Sequence, residues 1–168
     1  MKNNALRRAL AVLLICLMLI PAFMPTMGAA ADERTVHIST ADDLLELAES
    51  CTLDTWSQDK RVVLDNDISL EGVDFTPIPT FGGSFAGNGH TISGLTIDES
   101  WSPVGLFCIL QEDGSVKDLN VEGSVVPGGD SESTGGIVGE NNGKISGCRF
   151  TGTISGIRST GGIAGTNT

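Results

Sequence analysis

Between Ile92 and Phe150 one six-residue pattern occurs three times: Ile92-Ser93-Gly94-Leu95-Thr96-Ile97, Val116-Lys117-Asp118-Leu119-Asn120-Val121 and Ile145-Ser146-Gly147-Cys148-Arg149-Phe150. Each copy reads apolar, two variable, apolar, one polar, apolar. A second element keeps step with it: Gly105-Leu106-Phe107-Cys108, Gly136-Ile137-Val138-Gly139 and Gly162-Ile163-Ala164-Gly165, each followed by a polar stretch. The offsets are 24 and 29 residues for the first element, 31 and 26 for the second. Short strands with glycine at their ends, repeating with small changes of length, predict a solenoid. Each coil gives one strand to each face, and equivalent strands pair in parallel at ~4.8 Å spacing. The pattern puts Ile92, Leu95 and Ile97 on Val116, Leu119 and Val121, and these on Ile145, Cys148 and Phe150. Differences in repeat length fall in corner loops, the longest being 128–135. A β-sandwich would need hairpin turns between paired strands. The two Asn-Gly pairs, Asn88-Gly89 and Asn142-Gly143, instead read as coil corners at one phase of the repeat.

The segment before the repeats has a different character. Lys2, Arg7 and Arg8 precede an apolar run from Ala9 to Ile20, then prolines and Ala29-Ala30-Ala31. That order predicts a signal peptide over residues 1–31, cut before Asp32, because the apolar run is shorter than a membrane span. Residues 32–60 are read as an N-terminal cap. Ser39 and Thr40 stand at capping-box spacing from Asp42 and Asp43, and Leu44, Leu47, Ala48 and Cys51 form one stripe of a helix over about 41–50. The coils are expected to occupy 61–168.

Export leaves seven basic residues against 21 acidic ones, a formal charge of −14 on residues 32–168. Such a surface disfavours nucleic acid and anionic lipid as partners. Cys51, Cys108 and Cys148 are an odd set at wide spacings, with no C-x-x-C pair. They read as small buried hydrophobes, not as a disulfide framework or a zinc site.

The residues now carry a resemblance. Gly136-Ile137-Val138-Gly139 and Gly162-Ile163-Ala164-Gly165 resemble the GLUG repeat of bacterial surface proteins. The stretch Phe85-Ala86-Gly87-Asn88-Gly89-His90-Thr91-Ile92-Ser93-Gly94-Leu95 resembles the element that precedes it in that family, and so does 145–152, with Cys148 in the family's cysteine place. The sequence departs from the family pattern where Ile replaces Leu in both later repeats and where Cys108 replaces a glycine. The resemblance covers about 61–168. It implies a right-handed parallel β-helix exported within a larger adhesin-like protein; with the helix read above as its cap, the expected fold is all-β with a short N-terminal capping helix.

Candidate sites are few. Gly87-Asn88-Gly89 is followed by a strand pattern and no helix, so it reads as a corner and not a phosphate loop. Gly82-Gly83-Ser84-Phe85-Ala86 lacks the last glycine of a nucleophile elbow. His90, beside a corner, is expected to hydrogen-bond a turn; His37 is the only other histidine. Asp65-Asn66-Asp67 with Glu71 lacks the glycine of a calcium loop, and His90 stands where a β-roll calcium repeat needs Asp. Asp98, Glu122 and Arg149 fall at or near matching positions of successive coils but alternate with the stack. Trp56 lies in the cap region, where covering the first coil explains it. The predicted ligand-binding residues are therefore Trp101, Asp130 and Glu132, in the corner loops 99–103 and 128–135. No cofactor, metal or catalytic residue is assigned. The expected function is structural and adhesin-like: a secreted, cell-surface segment whose loops meet an extracellular glycan or a surface protein. A polysaccharide lyase or hydrolase on the same scaffold is the rival reading. The chain is further expected to be the N-terminal part of a longer protein and to self-associate through its last coil.

Overall fold

The structure is a computed structural model, and the residues described are 34–168 except 99, 101 and 130. The predicted signal peptide lies outside the described residues, as do Glu99, Trp101 and Asp130. A strand β1 (Thr35–Ile38) and a helix α1 (Ala41–Ser50) precede four coils. The first coil is β2 (Arg61–Leu64), β3 (Ile68–Ser69) and β4 (Ile78–Phe81); the second is β5 (Ser84–Ala86), β6 (Thr91–Ile97) and β7 (Phe107–Leu110). The third is β8 (Ser115–Lys117), β9 (Asn120–Val125), β10 (Ser133–Gly135) and β11 (Val138–Asn141). The fourth is β12 (Lys144–Ser146), β13 (Arg149–Ile154), β14 (Ser159–Gly161) and β15 (Ala164–Asn167).

Equivalent strands stack into sheets in which every pairing is parallel. A first face runs β1-β2-β5-β8-β12, a second β3-β6-β9-β13 and a third β4-β7-β11-β15, with β10 on β14 between the last two. This is the parallel β-solenoid that the repeat predicts. The glycine-flanked element is in the predicted register: Phe107 pairs with Val138 and Val138 with Ala164.

Two details of the expected stacking are corrected. Ile92 pairs with Val121, not Val116, and Val116 pairs with Phe85. In the third and fourth coils the six-residue pattern crosses a corner from the first face to the second, whereas in the second coil it lies wholly within β6. A bulge between Ile92 and Leu95, with Gly94 at φ 73°, gives β6 the same apolar spacing that a corner gives the later copies. The two Asn-Gly pairs also mark different corners. Asn88-Gly89 joins the first face to the second, and Asn142-Gly143 joins the third to the first.

Thr40 caps α1: its side chain accepts from Asp43 N, and Asp43 accepts from Thr40 N at 2.9 Å, the reciprocal pair expected. Leu44, Leu47, Ala48 and Cys51 are all buried in the core beside the first coil. β1 lies within the segment read as a cap, yet it pairs with β2 in register, so the stack starts one strand before residue 61.

The interior is a set of columns. Val62, Phe85 and Val116 form one and Ile68, Ile92 and Val121 another, all buried. Phe81, Phe85 and Phe107 meet with ring centroids 5.3–6.2 Å apart and are fully buried. Burying each such side chain stabilises by about 1.5–3 kcal/mol. Further along, the column Phe81–Leu110 continues as Asn141 and Asn167, whose side chains hydrogen-bond each other. Ile145, Cys148 and Phe150, on the outermost described rung, are half-buried, which corrects the expectation that all three cysteines are fully buried.

Candidate functional site

Within the segment 128–135 named from sequence as a loop, residues 133–135 form the strand β10, and Glu132 stands immediately before it. Glu132 is exposed; its backbone N–H donates to Ser102 Oγ at 3.0 Å, and its carboxylate meets Arg158 Nη1 at 3.4 Å. Ser133 Oγ, buried, donates to Gly139 O at 2.8 Å, fixing the base of the loop. A shallow cleft of about 390 Å³ opens here between Ser102, Glu132, Glu140 and Arg158. The structure thus brings Glu132 to a polar cleft. Its proposed companions Trp101 and Asp130 lie outside the described residues.

Asp65-Asn66-Asp67 forms the corner between β2 and β3, and its side chains are engaged with neighbouring rungs. His37 Nδ1 lies 3.0 Å from both carboxylate oxygens of Asp65, and Ser39 Oγ donates to Oδ2 at 3.3 Å. Asp67 Oδ1 accepts from Thr91 N at 2.9 Å and lies 3.1 Å from His90 Nδ1. Asn66 Nδ2 donates to Ser39 O at 2.8 Å. The bond from His37 holds the Asp65 carboxyl below its ordinary range, and the backbone N–H of Thr91, then His90, does the same for Asp67. The corner thus ties β1, the first coil and the second coil together, and His90 serves the turn as its position in the sequence suggests. Among the described residues no three His, Cys, Asp or Glu side chains gather as a metal site.

Asp98, Glu122 and Arg149 form no column. Arg149 pairs with Asn120, Glu122 pairs with Thr151, and Asp98 O accepts from Gly128 N. Trp56 packs half-buried against the core with Lys60 Nζ 4.7 Å from its ring centroid, the covering role expected of it.

Sequence reasoning missed a larger cleft, of about 1310 Å³, where the third face turns into the first. Residues 52–61 form one wall and the turn at 111–113 the other, over Gly82, Gly83 and the outward-facing Thr80 and Ile109. The wall folds back because Gly82 N donates to buried Ser57 Oγ at 2.9 Å and Ser84 N to Lys60 O at 2.9 Å. A Cβ on Gly83 would stand 2.6 Å from Lys60 O and closer still to Ser57 O, so only glycine admits the wall at that distance. Gly82-Gly83 was the available signal, weighed only as part of an incomplete nucleophile elbow.

The family model of the GLUG motif matches residues 130–155, a span that takes in β10 to β13. Halomucin from Haloquadratum walsbyi is 38% identical over 139 residues, covering 75% of this chain and 2% of that protein. The chain therefore spans about 2% of the length of that relative. No solved structure matches. The matched motif sits in the third and fourth of four coils that repeat the same parallel rungs: the chain carries the GLUG motif within a β-helix.

Proposed function

We propose that the protein is an exported structural segment of a cell-surface protein, which holds corner loops away from the cell for binding. The observation that carries this reading is the division of labour along the stack. The rungs keep register while the corners differ in length: one step from Phe107 to Val138 is 31 residues and the next, to Ala164, is 26. A fold that tolerates insertion at its corners without loss of register suits the display of loops. The likeness to a segment of Halomucin, a far longer protein, supports membership in a large assembly. The leader-like residues 1–31 and the charge of −14 on residues 32–168 support an extracellular setting.

The test has two arms. Expressed in a bacterial host with its own first 31 residues, the chain should be exported with Asp32 as its new N-terminus, seen by intact mass. A ten-residue epitope inserted after Gly128 should be recognised by antibody in the folded protein with the melting temperature kept. Retention inside the cell, or unfolding by the insertion, would contradict the reading.

A further inference from the structure

We propose that the cleft over Gly82 and Gly83 binds a neutral, hydroxyl-rich glycan chain. It rests on the reading above only in that an exported protein meets such polymers, and it concerns a different place from the loops around Glu132.

The cleft is built and held open by the fold. The 52–61 wall is fixed at its base by Ser57, fully buried, and by Lys60 O, so it does not depend on a partner for its shape. The opposite turn is closed by Gly114 N donating to Gln111 O at 2.8 Å and joined to the first coil by Gln111 N donating to Phe81 O at 2.9 Å. Gln111 spans the two walls: its Nε2 donates to Asp54 O at 3.1 Å, and its Oε1 accepts from Gln58 Nε2 at 3.4 Å. Side chains already held in place lose little conformational freedom when a ligand arrives.

The lining chooses the ligand. Asp54, Asp59, Glu112 and Asp113 supply acceptors, while Lys60 and Arg61 supply donors; the amides of Gln58 and Gln111 can do both. Thr80 and Ile109, paired in register on adjacent rungs, give the floor one hydroxyl and one apolar side chain. A sugar ring offers the complement, hydroxyls that donate and accept along its edge and a C–H face for Ile109. An anionic polymer is repelled by four carboxylates against two cations and by the charge of −14 on residues 32–168. A cationic chain is drawn by that same net charge, an attraction that salt screens, so the salt dependence of hexalysine binding separates it from a neutral ligand. The site is a surface cleft, which suits a stretch of polymer passing through it.

The experiment titrates the purified protein with hexasaccharides of glucose (β1,4 and α1,4), mannose, galactose and N-acetylglucosamine. Hexagalacturonate and hexalysine serve as charged probes, each at low and high salt. The expected result is binding of at least one neutral hexasaccharide with an affinity that salt leaves unchanged. Asp113→Ala, at an exposed position, and Gln111→Ala should each weaken it by about tenfold. Asp74→Ala, at an exposed position outside the cleft, should leave it unchanged, and Asp113→Ala should keep the wild-type melting temperature. Failure of every neutral probe, binding indifferent to Asp113→Ala, or binding confined to a charged probe at low salt would each overturn the proposal. Affinity is measured on purified protein and export on cells, so this inference and the reading of surface display fail separately.

Discussion

Gly83 and Gly162 are both corner glycines, and the stack treats them differently. A Cβ at Gly83 would run into the backbone oxygens of Ser57 and Lys60, whereas a Cβ at Gly162 meets nothing within 4 Å. Gly83→Ala should therefore lower the melting temperature strongly, while Gly162→Ala should fall within about 0.5 kcal/mol of wild type, as exposed substitutions do. Equal losses at the two sites in thermal melts would show that the wall does not sit on the corner as described. Phe107, fully buried against Phe81 and Phe85, belongs to the other extreme, and Phe107→Ala should cost about 3–5 kcal/mol by urea unfolding. The thiols divide in the same way. Burial pushes Cys51 up to about 11 and Cys108 up to about 12, while Cys148, also raised by burial, is only half-buried. At neutral pH a thiol reagent should modify Cys148 first and leave the other two until the protein unfolds. Labelling of all three at one rate would contradict the placement of Cys51 and Cys108.

At the scale of single elements, α1 was fully legible, because capping and one apolar stripe are local signals. Thr40→Ala should cost about 1 kcal/mol, read from urea unfolding. The glycine-flanked third face was legible for a similar reason: Gly136-Ile137-Val138-Gly139 and its relatives always occupy the same side of a coil. The six-residue pattern was not, since a bulged strand and a strand–corner–strand segment can share one apolar spacing. β1 was missed although Val36 and Ile38 alternate with His37, four residues being too few to signal a strand without their partner β2. Of the two clefts, the one beside Glu132 lies at a segment picked out by its length in the sequence, whereas the larger cleft joins residues more than fifty apart and exists only once the wall folds over Gly83. The outermost described rung carries half-buried Ile145, Phe150 and Ile163, while Val116, Val121 and Ile137 one rung inward are fully buried. We propose that self-association occurs at this rung through its half-buried apolar side chains. Sedimentation should show oligomers that grow with concentration and are lost in Phe150→Lys; a strict monomer at every concentration would sink the idea.

For the whole molecule, the acidic groups set the response to pH. Asp43 is held low first by the Ser39 backbone N–H, Asp65 by His37 and Asp67 by the Thr91 backbone N–H, all below the ordinary 3.8. A carboxyl whose folded pKa is depressed stabilises above its unfolded value, and that contribution disappears as pH falls through the folded one. The melting temperature should thus fall as pH drops from about 4 downward through that window. Asp67→Asn should make the fall shallower, and a melting temperature that rises on acidification would contradict the corner's hydrogen bonds. Everything above depends on the coils stacking in register, which a distance between labels on one face reads directly. With the native cysteines replaced by alanine and spin labels at Thr80 and Glu140, which stand two rungs apart through Ile109, dipolar spectroscopy should find a backbone separation of about 10 Å. A separation beyond about 20 Å, more than four rungs' worth, would contradict the parallel stack.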